Sequence, residues 1–354
     1  MILVNYSCLI TKPTGISIYA LKLLPYLKQL DPILLVGKSI PDFQCQLVAN
    51  TMNADFGARG HWQRLHWTQW KLPKIYQSLT ASLLFSPVPE APLFAKCRSV
   101  VMVHDFIPLR FPNWGSPLTY YHRFYVPLVL QNAIHILCNS RATAADIVNF
   151  CQIPSHKITS IPLAFDREQF QFLDLPAANY FLYLGRQDPH KNLARLIQAF
   201  QQLEKNYELW IVGGYDRRYT PKLEAIVKEL ELTDRVKFLG YIPHDKLVTV
   251  INQAIGLVFP SLWEGFGLPV LEAMACGTPV ITSKVSALPE TAGDAALFVD
   301  PYNIDDIADK MKQLARSDAL RNHLRSLGLK HCQSFSWQKT GQQTAQVLAN
   351  YLDR

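Results

Sequence analysis

The sequence predicts an α/β protein built from two Rossmann-like domains. Two observations lead there. Across the second half, short apolar runs alternate with helical patterns at regular spacing, as parallel strands joined by crossover helices require. The first half repeats that alternation less regularly, and 354 residues suffice for two domains that each bury a core. No G-x-G-x-x-G string follows any strand candidate, so a dinucleotide-binding dehydrogenase is disfavoured.

The elements follow in chain order. In the first half the apolar runs at 2–4, 33–36, 83–85, 100–103 and 134–138 read as strands, and 18–30 and 142–150 as helices. The segment 62–73 carries Trp62, Trp67 and Trp70; it reads as a buried amphipathic helix, with an acceptor-facing surface as the other reading. Pro162 and Pro176 bracket an irregular polar stretch where the domains meet. Beyond it, strands at 180–185, 208–212, 236–239, 255–259, 280–282 and 296–299 alternate with helices at 192–203, 221–230 and 245–253. A last helical pattern covers 337–352.

Composition bounds the function. Hydrophobic residues make up 49% and charged residues 18%, the balance of a soluble globular protein, and no apolar stretch is long enough to span a bilayer. Met1-Ile2-Leu3-Val4 reads as a first buried strand rather than a signal peptide. Seven cysteines without a C-x-x-C pair point to a reduced, cytoplasmic compartment and no structural zinc. No Asp-x-Asp is present, so no divalent cation is expected at a diphosphate, and no metal ligands are assigned. Residues 1–175 carry 15 Lys and Arg against 9 Asp and Glu, so most of the net charge of +7 sits in the first half. That suits an anionic acceptor or peripheral contact with the inner face of an anionic membrane; ordinary solubility charge is the plainer alternative. Without a Lys/Arg run, nucleic acid is not expected as a partner.

The string with most chemical content runs from Pro260 to Glu272. Glu264 and Glu272 have seven residues between them, around a Gly265-Phe266-Gly267 turn, after an apolar strand and before a helix. Carboxylates accept hydrogen bonds from vicinal hydroxyls, glycines let backbone N–H groups approach a ligand, and a helix N-terminus favours an anion. Pro269 fits the first helical turn. A carboxylate repels phosphate, so ribose or hexose hydroxyls are the natural partners of both glutamates. One glutamate alone would read as a solvent-facing residue on a capped helix; the agreement of all the elements argues otherwise.

This string resembles the E-x7-E signature of the retaining glycosyltransferases of family 4, down to the Glu264-Gly265-Phe266-Gly267-Leu268-Pro269 core. Other strings match the same family in the same order. Gly185-Arg186-Gln187-Asp188-Pro189-His190-Lys191-Asn192 resembles its G-R-x-x-P-x-K-N motif, which implies that Arg186 and Lys191 bind the donor diphosphate. Cations there would also stabilise the departing nucleoside diphosphate. Pro13-Thr14-Gly15-Ile16-Ser17-Ile18-Tyr19 resembles the first-domain T-G-I-G-R-Y loop, with Gly15 as a donor-phosphate contact. It departs at Ser17 and Ile18, where Gly and Arg are usual. The string from His104 to Pro112 resembles H-D-x-x-P-x-x-F-P, which implies that His104 contacts the transferred hexose, donating to a hydroxyl or positioning the reacting centre, while Asp105 supports the loop. The turn Gly240-Tyr241-Ile242-Pro243 matches one that packs against the nucleobase. Asn139-Ser140 ends another strand, and the string from Ser286 to Glu290 resembles a family string of structural type.

The resemblance implies a GT-B fold: α/β, two Rossmann-like domains facing a central cleft, with a C-terminal helix crossing back to the first domain. The expected acceptor-binding domain is 1–170, the nucleotide-sugar domain 171–335 and the returning helix 336–354. The implied catalytic residues are His104, Glu264, Arg186 and Lys191. The implied donor contacts are Gly15, Arg186, Lys191, Tyr241, Ile242, Glu264, Gly265, Phe266, Gly267, Leu268 and Glu272. No cofactor is required beyond the nucleoside-diphosphate sugar. GDP-mannose is the first donor reading, from the style of the strings at 67–73 and 104–112, and UDP-glucose and related UDP-sugars stay open. A saccharide or lipid-linked oligosaccharide is the expected acceptor. A front-face reaction is implied, in which the leaving phosphate takes the acceptor's proton and Glu264 steadies developing positive charge; Glu264 as nucleophile is the minority mechanism. The alternatives are an epimerase or phosphorylase on the same fold, and a degenerate sugar-nucleotide binding module.

Overall fold

A computed structural model describes residues 1–11 and 15–352. Pro13 and Thr14 of the first-domain loop, and the last two residues of the expected returning helix, lie outside the described residues. The chain divides into two compact units, Met1–Leu163 with Ser336–Arg354, and Ala164–Phe335.

In the first unit the strands are β1 (Ile2–Asn5), β2 (Ile33–Val36), β3 (Gln44–Leu47), β4 (Leu83–Ser86), β5 (Ser99–Val103), β6 (His135–Cys138) and β7 (Ile158–Ser160). They form one parallel sheet in the order β3-β2-β1-β4-β5-β6-β7. Every residue of β1, β4, β5 and β6 is buried, which is why these strands read as unbroken apolar runs: helices cover both faces of a parallel sheet. β3 and β7 are edge strands. Gln44–Leu47 is largely exposed, and Ile158–Ser160 is short and half-buried, so neither carries the apolar signal that marks the central strands. The helix Trp337–Leu352 belongs to this unit. Trp337 lies 6.5 Å from the Tyr19 ring, the Tyr351 hydroxyl meets His135 Nδ1 at 2.9 Å, and Arg98 donates to the Tyr351 carbonyl.

In the second unit the strands are β8 (Tyr180–Leu184), β9 (Glu208–Val212), β10 (Val236–Gly240), β11 (Gly256–Phe259), β12 (Val280–Ser283) and β13 (Leu297–Val299), again all parallel, in the order β10-β9-β8-β11-β12-β13. Counted within the unit this is the doubly wound order 3-2-1-4-5-6. The strand order reverses between β8 and β11, and loops leaving the carboxyl ends of those two strands border the crevice where α/β sheets take ligands. Backbones approach closely at this rim. A Cβ on Gly213, after β9, would lie 1.9 Å from the carbonyl oxygen of Gly185, after β8.

The three tryptophans of 62–73 do not share one environment. The helix Gly57–Trp70 buries Trp67 in the core of the first unit but leaves Trp62 and Trp70 exposed. The expectation of a buried amphipathic helix holds for the face of Trp67, which it shares with Arg64 and Thr68, and is corrected for Trp62 and Trp70, which stand on the exposed side.

Candidate functional site in the second unit and its counterpart in the first

Two loops meet at the β8/β11 switch point. After β8 the chain passes Gly185 and Arg186, makes a single 3-10 turn at Pro189–Lys191, and enters the helix Leu193–Phe200 through Asn192. After β11 it passes Pro260 and Glu264 and enters the helix Leu268–Ala275 through Gly267. Asn192, buried and left-handed at φ 65°, donates from Nδ2 to the carbonyls of Pro260 and Pro301, at 3.0 and 2.6 Å. Leu262 N–H donates to the His190 carbonyl at 2.7 Å. These bonds fix one loop against the other.

Their product is a side-chain pair. Lys191 Nζ lies 2.7 and 2.9 Å from the two carboxylate oxygens of Glu264, with both side chains largely buried and the ammonium 5.6 Å from the centre of the Phe259 ring. The Glu264 backbone is held as well: its N–H donates to Ser286 Oγ, and Ser286 Oγ–H donates to its carbonyl, each at 2.8 Å. Ser286, in a string read as structural, therefore positions Glu264, and it does so from a left-handed backbone at φ 59°.

Arg186 is placed differently from Lys191. Its side chain is 72% exposed and is held by Asp188, Nε to Oδ2 at 2.9 Å. It stands at the rim of the crevice, with the Asp216–Arg218 pair on the loop after β9 beyond it. Of the turn after β10, Tyr241 is 72% exposed and Ile242 half-buried, following Gly240 at φ +64°.

Gly267 takes φ +101°, and a Cβ there would meet Leu288 Cδ2 at 2.7 Å, so the entry to the helix Leu268–Ala275 demands glycine. Gly265 is buried and Leu268 half-buried. The Phe266 ring is buried against Phe335, at 6.0 Å between ring centres, and its carbonyl accepts from Thr291 Oγ1 at 2.6 Å. The expectation of Phe266 as a donor contact is corrected for its side chain, because the ring belongs to the core. Glu272 is half-buried with no cation and no hydrogen-bond donor at its carboxyl among the described residues, and burial pushes its pKa up to about 7.

The first unit holds the other two residues read from the sequence. Gly15 precedes the helix Ile16–Leu27 at φ +42°, with open space where a Cβ would stand. Ser17 is buried and accepts from Ile10 N–H at 3.3 Å, whereas Ile18 is exposed. The hydroxyl that replaces the usual second glycine thus ties the start of the helix to the segment that follows β1. His104, after β5, is enclosed beside Tyr19, and burial lowers its pKa to about 4, so the imidazole is neutral near pH 7. Its Nε2 stands 2.9 Å from the Pro87 carbonyl, which can only accept. Nε2 therefore carries the proton and Nδ1 is left as an acceptor. The reading of His104 as a donor to a hydroxyl is corrected: its remaining ring nitrogen can accept but not donate. Asp105 Oδ1 accepts from Ile107 N–H and supports the loop. Ser140 and Asn139 are used in capping the helix Arg141–Cys151, through Thr143.

Sequence reading missed Asn192 and Ser286 as positioning residues. Asn192 ends the matched string, but its two carbonyl partners lie 68 and 109 residues away, where no local pattern could point. Among the described residues no group of three or more His, Cys, Asp or Glu is gathered as a metal site would need, and no helix is long and apolar enough to cross a membrane.

Two family models match. "Glycosyltransferase Family 4" matches residues 13–169, and "Glycosyl transferases group 1" matches 165–331. One follows the other along the chain with the fold of each half, and the second identifies residues 165–331 as a group 1 glycosyltransferase domain. It is similar to O-antigen chain mannosyltransferase B of Escherichia coli, 34% identical over 230 residues, which is 61% of this chain and 60% of that protein. It is also similar to O-antigen chain mannosyltransferase RfbU of Salmonella typhimurium, 33% identical over 204 residues, 58% of this chain and 57% of that protein. The matches thus span about three-fifths of those relatives. Among solved structures, sucrose-phosphate synthase from Thermosynechococcus elongatus matches with TM-score 0.76 and 21% identity, over 99% of this chain and 98% of that one. HepE of Anabaena, in complex with UDP and glucose, matches with TM-score 0.75 and 19% identity, over 98% and 99%. At these identities the likeness is one of fold, the GT-B arrangement of two parallel-sheet domains.

Proposed function

We propose that this chain is a retaining, metal-independent hexosyltransferase. It moves mannose, by first reading from GDP-mannose, to a hydroxyl of a saccharide or lipid-linked acceptor. The observation that carries the reading is the Lys191–Glu264 pair at the β8/β11 switch point. A sugar nucleotide needs a cation for its diphosphate and an acceptor for its hydroxyls, and this pair supplies both from two adjoining loops. Mannose is supported by the names of the two bacterial relatives, which are mannosyltransferases of O-antigen chains. The same names support a growing polysaccharide as acceptor.

The chemistry follows from the residues. Lys191, with Arg186 at the rim, would neutralise the leaving nucleoside diphosphate. Glu272, with no partner among the described residues, would accept from donor hydroxyls once ionised. The Glu264 carboxylate, held by Lys191 and Ser286, would orient the hexose and steady an oxocarbenium-like transition state. His104 would accept a hydrogen bond from a hexose hydroxyl at Nδ1. No side chain is assigned as general base; the departing phosphate would take the acceptor's proton. A UDP-sugar is the second donor reading, because the exposed turn at 240–243 offers no side chain that discriminates a base.

The test is turnover of GDP-mannose by the purified chain with a mannose-containing oligosaccharide, followed by release of GDP and by NMR of the new linkage. An α-linked product from the α-linked donor agrees with retention. A β-linked product removes the mechanism. Turnover of UDP-glucose alone replaces the donor. Binding without turnover favours the degenerate module, for which the departure at Ser17 and Ile18 is the one sequence argument.

A further inference from the structure

The charge of the first unit is concentrated. Between Phe56 and Ala145 the chain has nine basic residues and two acidic ones, Glu90 and Asp105. Neither acid faces solvent freely. Glu90 is buried in a bidentate pair with Arg64, and Asp105 is half-buried and caps its own loop. Arg59, Lys71, Lys74, Lys96 and Arg123 are all exposed.

The same stretch holds ten of the 19 large apolar side chains that are exposed among the described residues. Six of them, Trp62, Trp70, Leu118, Tyr120, Phe124 and Leu128, sit on two helical segments that lie side by side. The helix Gly57–Trp70 meets the helical run from Pro117 to Asn132 through His61 against the Tyr121 ring at 5.0 Å, and through Gln69 Nε2 donating to the Tyr125 hydroxyl at 2.9 Å. The exposed rings flank this seam. Trp70 stacks on Phe94, which is 77% exposed, and Trp114, Tyr120 and Phe124 touch in series, with Phe124 60% exposed. Tyr120, Phe124 and Leu128 recur every four residues along the run, an apolar stripe that stays about half exposed beside Trp114.

We propose that this aromatic and cationic face docks on an anionic phospholipid bilayer. Trp and Tyr rings suit the headgroup level, where one edge is apolar and the other wet, and a helix face of this kind lies in the interface plane without crossing it. Exposed cations without competing carboxylates are attracted to acidic headgroups. The proposal deepens the reading of a lipid-linked acceptor given above, but its test does not depend on donor binding.

The experiment is co-sedimentation of the full chain with phosphatidylcholine vesicles, with and without phosphatidylglycerol, at low and high salt. The protein should pellet with the anionic vesicles, not with the neutral ones, and high salt should release it. The double variant Trp114→Ser/Phe124→Ser should weaken partitioning by at least about tenfold, as should Lys71→Ser/Arg123→Ser. Both pairs are exposed, and a thermal melt checks that each variant is folded. Absence of pelleting with anionic vesicles by the folded wild type would overturn the proposal. So would pelleting that both variants leave unchanged. A wild type that self-associates in solution, with vesicle binding nil and the aromatic variant monomeric, would assign the face to a second copy of the chain instead. GDP affinity measured on the same samples keeps a failure here separate from a failure of the donor site.

Discussion

Lys191 and Glu264, 73 residues apart in sequence, form a largely buried ion pair whose ammonium reaches both carboxylate oxygens, at 2.7 and 2.9 Å. Neither residue is placed for the other's sake alone. Lys191 ends the 3-10 turn that Asn192 ties to Pro260, and Glu264 is bonded at both its backbone N–H and its carbonyl by Ser286. The pair therefore couples the stability of two loops to the charge of the crevice between them.

Removing one partner leaves the other charge buried without compensation. Lys191→Met should cost about 2–4 kcal/mol of stability, within or a little below the range for breaking a buried pair, because both side chains keep some exposure. Adding Glu264→Gln should recover a large part of that loss while leaving nucleoside-diphosphate binding abolished. Urea unfolding and calorimetric titration of the single and double variants check both halves. Full recovery of binding in the double variant would contradict the assignment of Lys191 to the diphosphate.

Glu272 should link binding to pH. Its carboxyl titrates at about 7 in the folded chain, against 4.5 when unperturbed, so it is largely neutral below pH 7. Accepting two donor hydroxyls suits the carboxylate, so nucleotide affinity should rise as pH goes from 6 to 8, and Glu272→Gln should flatten that rise. Stability runs the other way. The folded chain holds a proton that the unfolded chain has released, so the contribution falls as pH rises from about 4.5 to 7. Glu272→Gln should gain on the order of 1–3 kcal/mol relative to wild type at pH 8. Parallel melts at pH 5 and 8 measure it.

Acid should unfold the protein early. Burial lowers His104, His122, His135 and His190 each to about 4, from 6.5. Between those values the unfolded chain takes up protons that the folded chain refuses. Their contribution is complete above pH 6.5 and lost as pH falls toward 4, a drop on the order of several kcal/mol in total. His104→Phe, which keeps the ring beside Tyr19, should remove about one quarter of that slope. It should also lower kcat/KM roughly tenfold to a hundredfold by removing the Nδ1 acceptor, with GDP affinity unchanged.

Gly213→Ala should destabilise the second unit by at least about 2 kcal/mol, because the new Cβ would stand 1.9 Å from a backbone oxygen of Gly185 that cannot rotate away. Gly214→Ala, next door with open space at its Cβ position, is the matched control and should cost under about 1 kcal/mol. Denaturant midpoints of the two variants give the comparison.

The buried strands were legible because parallel strands covered on both faces read as continuous apolar runs; Tyr180–Leu184 is buried throughout. Gln44–Leu47 and Ile158–Ser160 were not, since edge strands need no such run. Within the site, Arg186, Lys191 and Glu264 stood out by spacing and residue type. Their pairing did not: Lys191 is taken by Glu264 and Arg186 by Asp188, a choice made by tertiary distance. Phe266 shows the opposite limit. It lies inside the matched string, yet an aromatic side chain on a tight loop finds the core before it finds a ligand. Trp62, Trp67 and Trp70 look alike in the sequence, and only the packing of the helix Gly57–Trp70 separates the core ring from the exposed ones.

The most direct measurement is a thermal-shift comparison of wild type and Lys191→Ala with GDP, GDP-mannose, UDP and UDP-glucose, without added metal, each variant against its own ligand-free melt. A ligand that binds only the folded chain stabilises it by about 2.7 kcal/mol at a hundred times its Kd. GDP and GDP-mannose should raise the Tm of the wild type and leave that of Lys191→Ala unchanged. A folded wild type whose Tm no nucleoside diphosphate raises would contradict the donor site at Lys191 and Glu264.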